Sequence, residues 1–245
     1  MSLPDIVETG AASLLWAAIF QCGGKVSPPR ALLPKPGTIT SLGAGMSIAY
    51  VFVHMMPELQ ATRHAFVASS PMELPYEGMG VYFLALVGFL AFYGLDYVRA
   101  SLHETTAGAR GGPCFRLHVG GFAAYVFMMG YLLVNGLHDT KMSVALYAVA
   151  LGLHFLSVDR ALHQEHGAAY DRVGRPVLAA MSVLGWGVGM AFAMPQHVLA
   201  LLVAFVSGAI IMNSTIMEVH AEKGGRIMPM MFGGLVYGLI LIPFG

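Results

Sequence analysis

Eight apolar runs, each close to the length that crosses a membrane, restrict what this chain can fold into. The hydrocarbon core of a bilayer is about 30 Å thick, which a helix of about 20 apolar residues spans. Only 11% of the residues are charged and 57% are hydrophobic, whereas soluble domains are about 25% charged. The sequence therefore predicts an all-α integral membrane protein, with one transmembrane domain over residues 1–245. The eight predicted helices are 6–24, 39–58, 80–98, 117–137, 142–158, 176–194, 198–217 and 227–244.

The basic residues indicate the orientation of these helices. Eleven of the thirteen lysines and arginines follow the first, third, fifth and seventh runs, and only Arg63 and Lys141 fall on the other side. Because cytoplasmic loops are enriched in Lys and Arg, we expect a multi-pass protein with both termini outside the cytoplasm, in the inner membrane if the chain is bacterial. The lipid bilayer is then its first partner. The net charge is zero and we find no basic stripe, so we expect no nucleic-acid partner.

The end of the fifth run is the part of the chain richest in metal-ligand side chains. At about 100° per residue, Asp159, His163 and His166 fall within an arc of about 60° on one helix face. We expect them to form one group at the cytoplasmic end. His154 lies deeper, where a charged group costs roughly 2.5–3.5 kcal/mol. We therefore expect a neutral imidazole that either binds a metal or bonds to a neighbour such as Tyr125.

Two other runs end in side chains of the same kind. His54 and Glu58, four residues apart on the second run, share a helix face and together suit a divalent cation such as zinc. After the seventh run come Glu218, His220 and Glu222, and the two stacked glutamates repel each other unless a cation or proton lies between them. Polar helix ends at the membrane interface remain the alternative for both groups.

The connection between the third and fourth runs holds His103, Glu104 and His118. These side chains could capture a metal loosely. We interpret them instead as part of a solvated loop.

The order of these features resembles the ZIP family of zinc and iron permeases, over nearly the whole chain. The second run contains Gly43-Ala44-Gly45 and ends His54-Met55-Met56-Pro57-Glu58, and the stretch from Gly208 to Glu222 is similar to the family's penultimate helix. The resemblance implies a ZIP-like bundle of eight helices with both termini outside. It also implies transport of divalent cations, with zinc as the first candidate.

The family's central metal ligands are matched at one position only. His154 stands at the histidine position of the fifth helix, but Val158 occupies the glutamate position. Tyr125 and Met129 occupy ligand positions of the fourth helix. A pair of dications needs several anionic oxygens, so the resemblance implies a degenerate centre. A single softer site around His154 and no metal at mid-membrane are both open.

Three functions remain open from the sequence. The first is a divalent cation transporter, with the metal as a transported or bound ion rather than a cofactor, in which His54 and Glu58 gather ions outside. The inner residues that would release them are Asp159, His163, His166, Glu218, His220 and Glu222. The second is a ZIP-fold protein that has lost transport and acts as a partner or sensor. The third is a membrane-embedded metallohydrolase at the inner group, but GxSxG and HExxH motifs are missing, so we expect no enzyme. A homodimer stays open.

Overall fold

The structure, a computed structural model, describes residues 3–23, 38–69, 78–105, 112–135, 144–214 and 227–244. Nearly all of these residues are helical, which confirms the predicted all-α class. The α-helices are α1 (Leu3–Cys22), α2 (Thr38–Tyr50), α3 (Met56–Ser69), α4 (Met79–Thr105), α5 (Pro113–Asn135), α6 (Val144–His166), α7 (Arg175–Ala191), α8 (Gln196–Met212) and α9 (Ile227–Leu241). A π-helical turn, Val51–Met55, joins α2 to α3, so the described residues contain eight continuous helical stretches.

Several of these helices suit a membrane. Four are long and apolar enough to cross one, and they cover Leu3–Cys22, Met79–Val98, Pro113–Asn135 and Tyr170–Ala191. Two shorter helices, Gln196–Met212 and Ile227–Leu241, are apolar as well. These helices are consistent with the membrane class that the composition predicts.

The second predicted helix is longer than expected because it passes Pro57. The sequence predicted an end at residue 58, but the helix continues to Ser69. A proline inside a helix lacks an N–H and its ring crowds the carbonyl four residues before it. The π turn lies just before Pro57, and the amide of Met56 bonds to the carbonyl of Val51, five residues back. This wider turn lets the chain accommodate the proline without ending the helix.

By their contacts the residues separate into two compact units. The first consists of Met1–Lys25 and Leu90–Met194 and contains α1, α5, α6 and α7. Ser13 on α1 and Ser182 on α7 each donate to the other's backbone carbonyl, at 3.2 and 3.1 Å. Gly130 on α5 lies so close to α7 that an added Cβ would be 2.5 Å from the carbonyl oxygen of Ser182. Close backbone approach at small residues is typical of membrane helices.

The second unit consists of Val26–Phe89 and Pro195–Gly245. Within it α2 packs against α9, and α3 packs against α8. Gly45 on α2 leaves room for the backbone of α9, because an added Cβ there would overlap the carbonyl of Met230. The buried apolar side chains between the helices include Leu59, Phe66, Val81, Ala85, Ala200 and Ala204.

Candidate metal centre

A cluster of two histidines and a glutamate lies where the start of α5 meets the end of α6. His118 is in the second turn of α5, and Glu165 and His166 are the last two residues of α6. Nδ1 of His118 is 2.9 Å from Nε2 of His166 and 3.6 Å from Oε2 of Glu165. The three ligand atoms lie within 4.8 Å of one another, and among the described residues this is the one such group of three or more His, Cys, Asp or Glu side chains.

The cluster is enclosed by aromatic rings and is largely shielded. The His118 side chain is 2% exposed and that of Glu165 is 14% exposed. The ring of Phe115 meets that of His166 edge-on at 5.3 Å, and the ring of Phe122 meets that of His118 at 5.2 Å. Each imidazole ring of the cluster therefore packs edge-on against an aromatic neighbour.

His118 was interpreted from the sequence as part of a solvated loop, and that interpretation is wrong. α5 begins at Pro113 rather than at residue 117, which puts His118 in the second turn of the helix instead of at its edge, and the side chain is 1% exposed. Proline is favoured at the first position of a helix, and this signal could have placed the helix start correctly. Nothing in the sequence indicated that His118 faces Glu165 and His166, because they are 47 and 48 positions away.

Asp159 has a different set of partners. Its carboxylate is fully buried and accepts hydrogen bonds from Tyr170 Oη at 2.9 Å, Arg175 Nε at 2.9 Å and Arg175 Nη2 at 3.1 Å. The same arginine bonds through Nη1 to Asp171 at 2.9 Å. An Arg–carboxylate pair with two parallel bonds is among the stronger charge-assisted contacts in proteins. The Asp159 carboxylate is therefore neutralised by the protein itself.

The structure does not bring Asp159, His163 and His166 together around one point. His163 is exposed and its Nδ1 lies 2.8 Å from Oδ1 of Asp171, whereas His166 joins His118. The turn after α6 explains the separation. Gly167 has a left-handed backbone (φ 52°) and bonds to the carbonyl of His163 at 2.8 Å, as glycine does at helix ends. The chain after Gly167 then returns, and Asp171 occupies the position opposite His163.

The sequence predicted that His154 either binds a metal or bonds to a neighbour such as Tyr125, and the structure shows the bond to Tyr125. Its Nε2 lies 3.2 Å from the Tyr125 hydroxyl, and both side chains are buried. Phe155 and Phe122 pack around Tyr125 with their rings edge-on, at 6.2 and 6.4 Å. The hydrogen bond to Tyr125 is thus confirmed, in a surrounding that is mainly aromatic.

The remaining predicted ligands lie elsewhere. His54 belongs to the π turn of the second unit, is 4% exposed and has its ring 5.1 Å from that of Tyr50. Glu58 follows one turn later and is half-buried. Glu218, His220 and Glu222 lie outside the described residues.

Comparison with known proteins gives no match: no protein-family model, curated protein or solved structure is similar to this chain. The ZIP-like character of the chain is therefore a hypothesis that depends on its own residues.

Proposed function

We propose that this chain is a membrane transporter of divalent cations, with a ZIP-like bundle of eight crossings and both termini outside the cytoplasm. One observation carries the proposal. The two neighbouring helices α5 and α6 hold candidate ligand side chains at two positions along their length, Tyr125 with His154 and then His118 with Glu165 and His166. Zinc is the first candidate ion, because imidazole and carboxylate groups suit it.

The two groups are separated along the helices by a distance that an ion would have to travel. A helix rises about 1.5 Å per residue. His154 and His166 on α6 are therefore about 18 Å apart along the axis, and His118 and Tyr125 on α5 about 10 Å. The deeper group lies toward the predicted membrane interior and the other at the predicted cytoplasmic end. In the proposed route His54 and Glu58 gather ions outside, and the cluster on α5 and α6 releases them inside.

The test is uptake of Zn²⁺ into proteoliposomes that contain the purified protein. We expect His154→Ala and His166→Ala to lower the initial uptake rate at least about tenfold, the factor that corresponds to about 1.4 kcal/mol. The matched control is His163→Ala, which removes an exposed histidine from the same helix end and should leave the rate within about twofold. Unchanged uptake in His154→Ala would show that Tyr125 and His154 are not part of the ion route.

A second function is favoured by the surroundings of His154. Aromatic rings enclose the Tyr125–His154 pair, and Asp159, the carboxylate one turn further along α6, is bound to Arg175. A divalent cation that has lost its hydration shell would find few polar or charged groups there to replace the water. A membrane protein that binds the metal and acts as a sensor or partner without transport is therefore the alternative. Zn²⁺ binding to the purified protein without any uptake would support it.

A further inference from the structure

We infer that His118, Glu165 and His166 form a mononuclear site for a zinc-class transition metal, with a fourth coordination position left open. The inference deepens the proposed function by naming the ion class and its ligands at the inner end of α5 and α6. Only its consequence for transport rests on that function, because binding is measurable in the isolated protein.

The distances fit one tetrahedral ion. Zn–N bonds are about 2.0–2.1 Å long, so two ligand atoms on a tetrahedral zinc lie about 3.3 Å apart. In the structure Nδ1 of His118 is 2.9 Å from Nε2 of His166 and 3.6 Å from Oε2 of Glu165. To bind zinc, the distance from His118 to His166 must lengthen and the distance from His118 to Glu165 must shorten, each by only a few tenths of an ångström. Side-chain rotation supplies such a shift without moving either helix.

The donor atoms select the class of ion. Two imidazole nitrogens suit zinc, copper, nickel and iron, whereas magnesium and calcium take six or more oxygen ligands. The cluster offers a single carboxylate, from Glu165. Hard cations therefore gain too little from it to replace their hydration shells. Three protein ligands with one open position also allow faster exchange than a closed four-ligand structural site.

The surrounding side chains hold the ligands in place. Phe115 and Phe122 fix the planes of the His166 and His118 rings. The hydrogen bond between the two imidazoles keeps the two nitrogens 2.9 Å apart and facing each other, so that a metal ion can take the place of the shared proton. Little rearrangement energy is then lost on binding.

The experiment measures Zn²⁺ stoichiometry and affinity of the purified full-length protein in detergent by competition with a chelator. Single variants His166→Ala and Glu165→Gln test the cluster, and His163→Ala is the control. We expect each cluster variant to lose one equivalent of Zn²⁺, or to bind it at least about 100-fold more weakly, because even loss of a second-shell partner costs 10–100-fold. His163→Ala should stay within about threefold, and millimolar Mg²⁺ should not displace Zn²⁺ from the wild type.

Two readouts make the result decisive. Glu165→Gln keeps the side-chain volume, and its thermal unfolding should match that of the wild type, so its loss of Zn²⁺ cannot be attributed to misfolding. Co²⁺ bound to the wild type should show the intense visible absorption of a tetrahedral ion, and this band should vanish in His166→Ala. Wild-type affinity in both cluster variants, or an equal loss in His163→Ala, overturns the inference. Zn²⁺ binding that depends on the cluster in a protein without uptake supports the inference and refutes transport.

Discussion

Removing one partner of the buried ion pair between Asp159 and Arg175 should strongly destabilise the first unit. Asp159 is fully buried and Arg175 is 9% exposed. The perturbation is Asp159→Ala, which removes the acceptor of three hydrogen bonds from Tyr170 and Arg175. In this variant the Arg175 guanidinium still pairs with Asp171, whose side chain is 39% exposed.

The expected magnitude follows from burial. Removing one partner of a buried ion pair costs about 3–5 kcal/mol because the other charge is left uncompensated. For a chain of this size about 1 kcal/mol corresponds to about 2–4 °C in Tm. We therefore expect Asp159→Ala to lower Tm by about 6–20 °C. Asp171→Ala removes a carboxylate from the same guanidinium at an exposed position, where a pair contributes about 0–1 kcal/mol, and should lower Tm by no more than about 4 °C.

The assay is thermal unfolding in one detergent, followed by tryptophan fluorescence and by the loss of soluble protein. The double variant Asp159→Asn with Arg175→Met should be more stable than Asp159→Ala, because it leaves no unpaired buried charge. Zn²⁺ stoichiometry should be unchanged in Asp159→Ala. Equal Tm shifts in Asp159→Ala and Asp171→Ala, or no recovery in the double variant, would refute the reasoning.

Two further predictions concern packing and the deeper histidine. Gly208→Ala on α8 places a Cβ where the carbonyl of Ala85 lies, so it should destabilise the protein by about 1–3 kcal/mol in the same thermal assay. Gly80→Ala is its control, because an added Cβ there meets nothing within 4 Å, and an equal loss in both would contradict the packing explanation. Tyr125→Phe removes the hydroxyl that bonds to His154 and should cost about 1–3 kcal/mol, whereas an unchanged Tm would show that this hydrogen bond contributes no net stability.

The helical class, and the eight helical stretches within the part of the chain that the structure describes, were predictable because long apolar runs permit few alternatives. The first run shows the usual accuracy, since helix 6–24 was predicted and Leu3–Cys22 is observed. The second and fifth apolar runs continue as helix beyond residues 58 and 158, for different reasons. The second helix continues past residue 58 because a π turn, Val51–Met55, accommodates Pro57. The fifth helix continues past Asp159, whose burial is made tolerable by Arg175, a partner 16 positions later. No periodic pattern shows such a partner.

The predicted ligands and the observed cluster share one residue. His166 belonged to the expected group of ligands, and it is one of the three residues of the observed cluster. Helix periodicity puts His166 within about 60° of Asp159 and His163 around the helix axis, but it does not show which side chains of other helices lie opposite. Its partners depend on which turn of α5 lies opposite and on where the chain goes after Gly167. These are tertiary contacts, and helix periodicity does not show them. They bring His118 next to Glu165 and His166.

The two carboxylates in the last turns of α6 show why ligand density alone does not identify a metal site. Asp159 accepts two bonds from one guanidinium and a third from a tyrosine, so a cation could bind it only by displacing Arg175, at about the 3–5 kcal/mol that breaking a buried pair costs. Oε2 of Glu165 lies 3.6 Å from Nδ1 of His118. This nitrogen can give up its hydrogen bond and bind a metal ion instead. The proposed metal site on α6 is therefore its last turn, at Glu165 and His166. The turn before it, around Asp159, fixes the position of α7 instead.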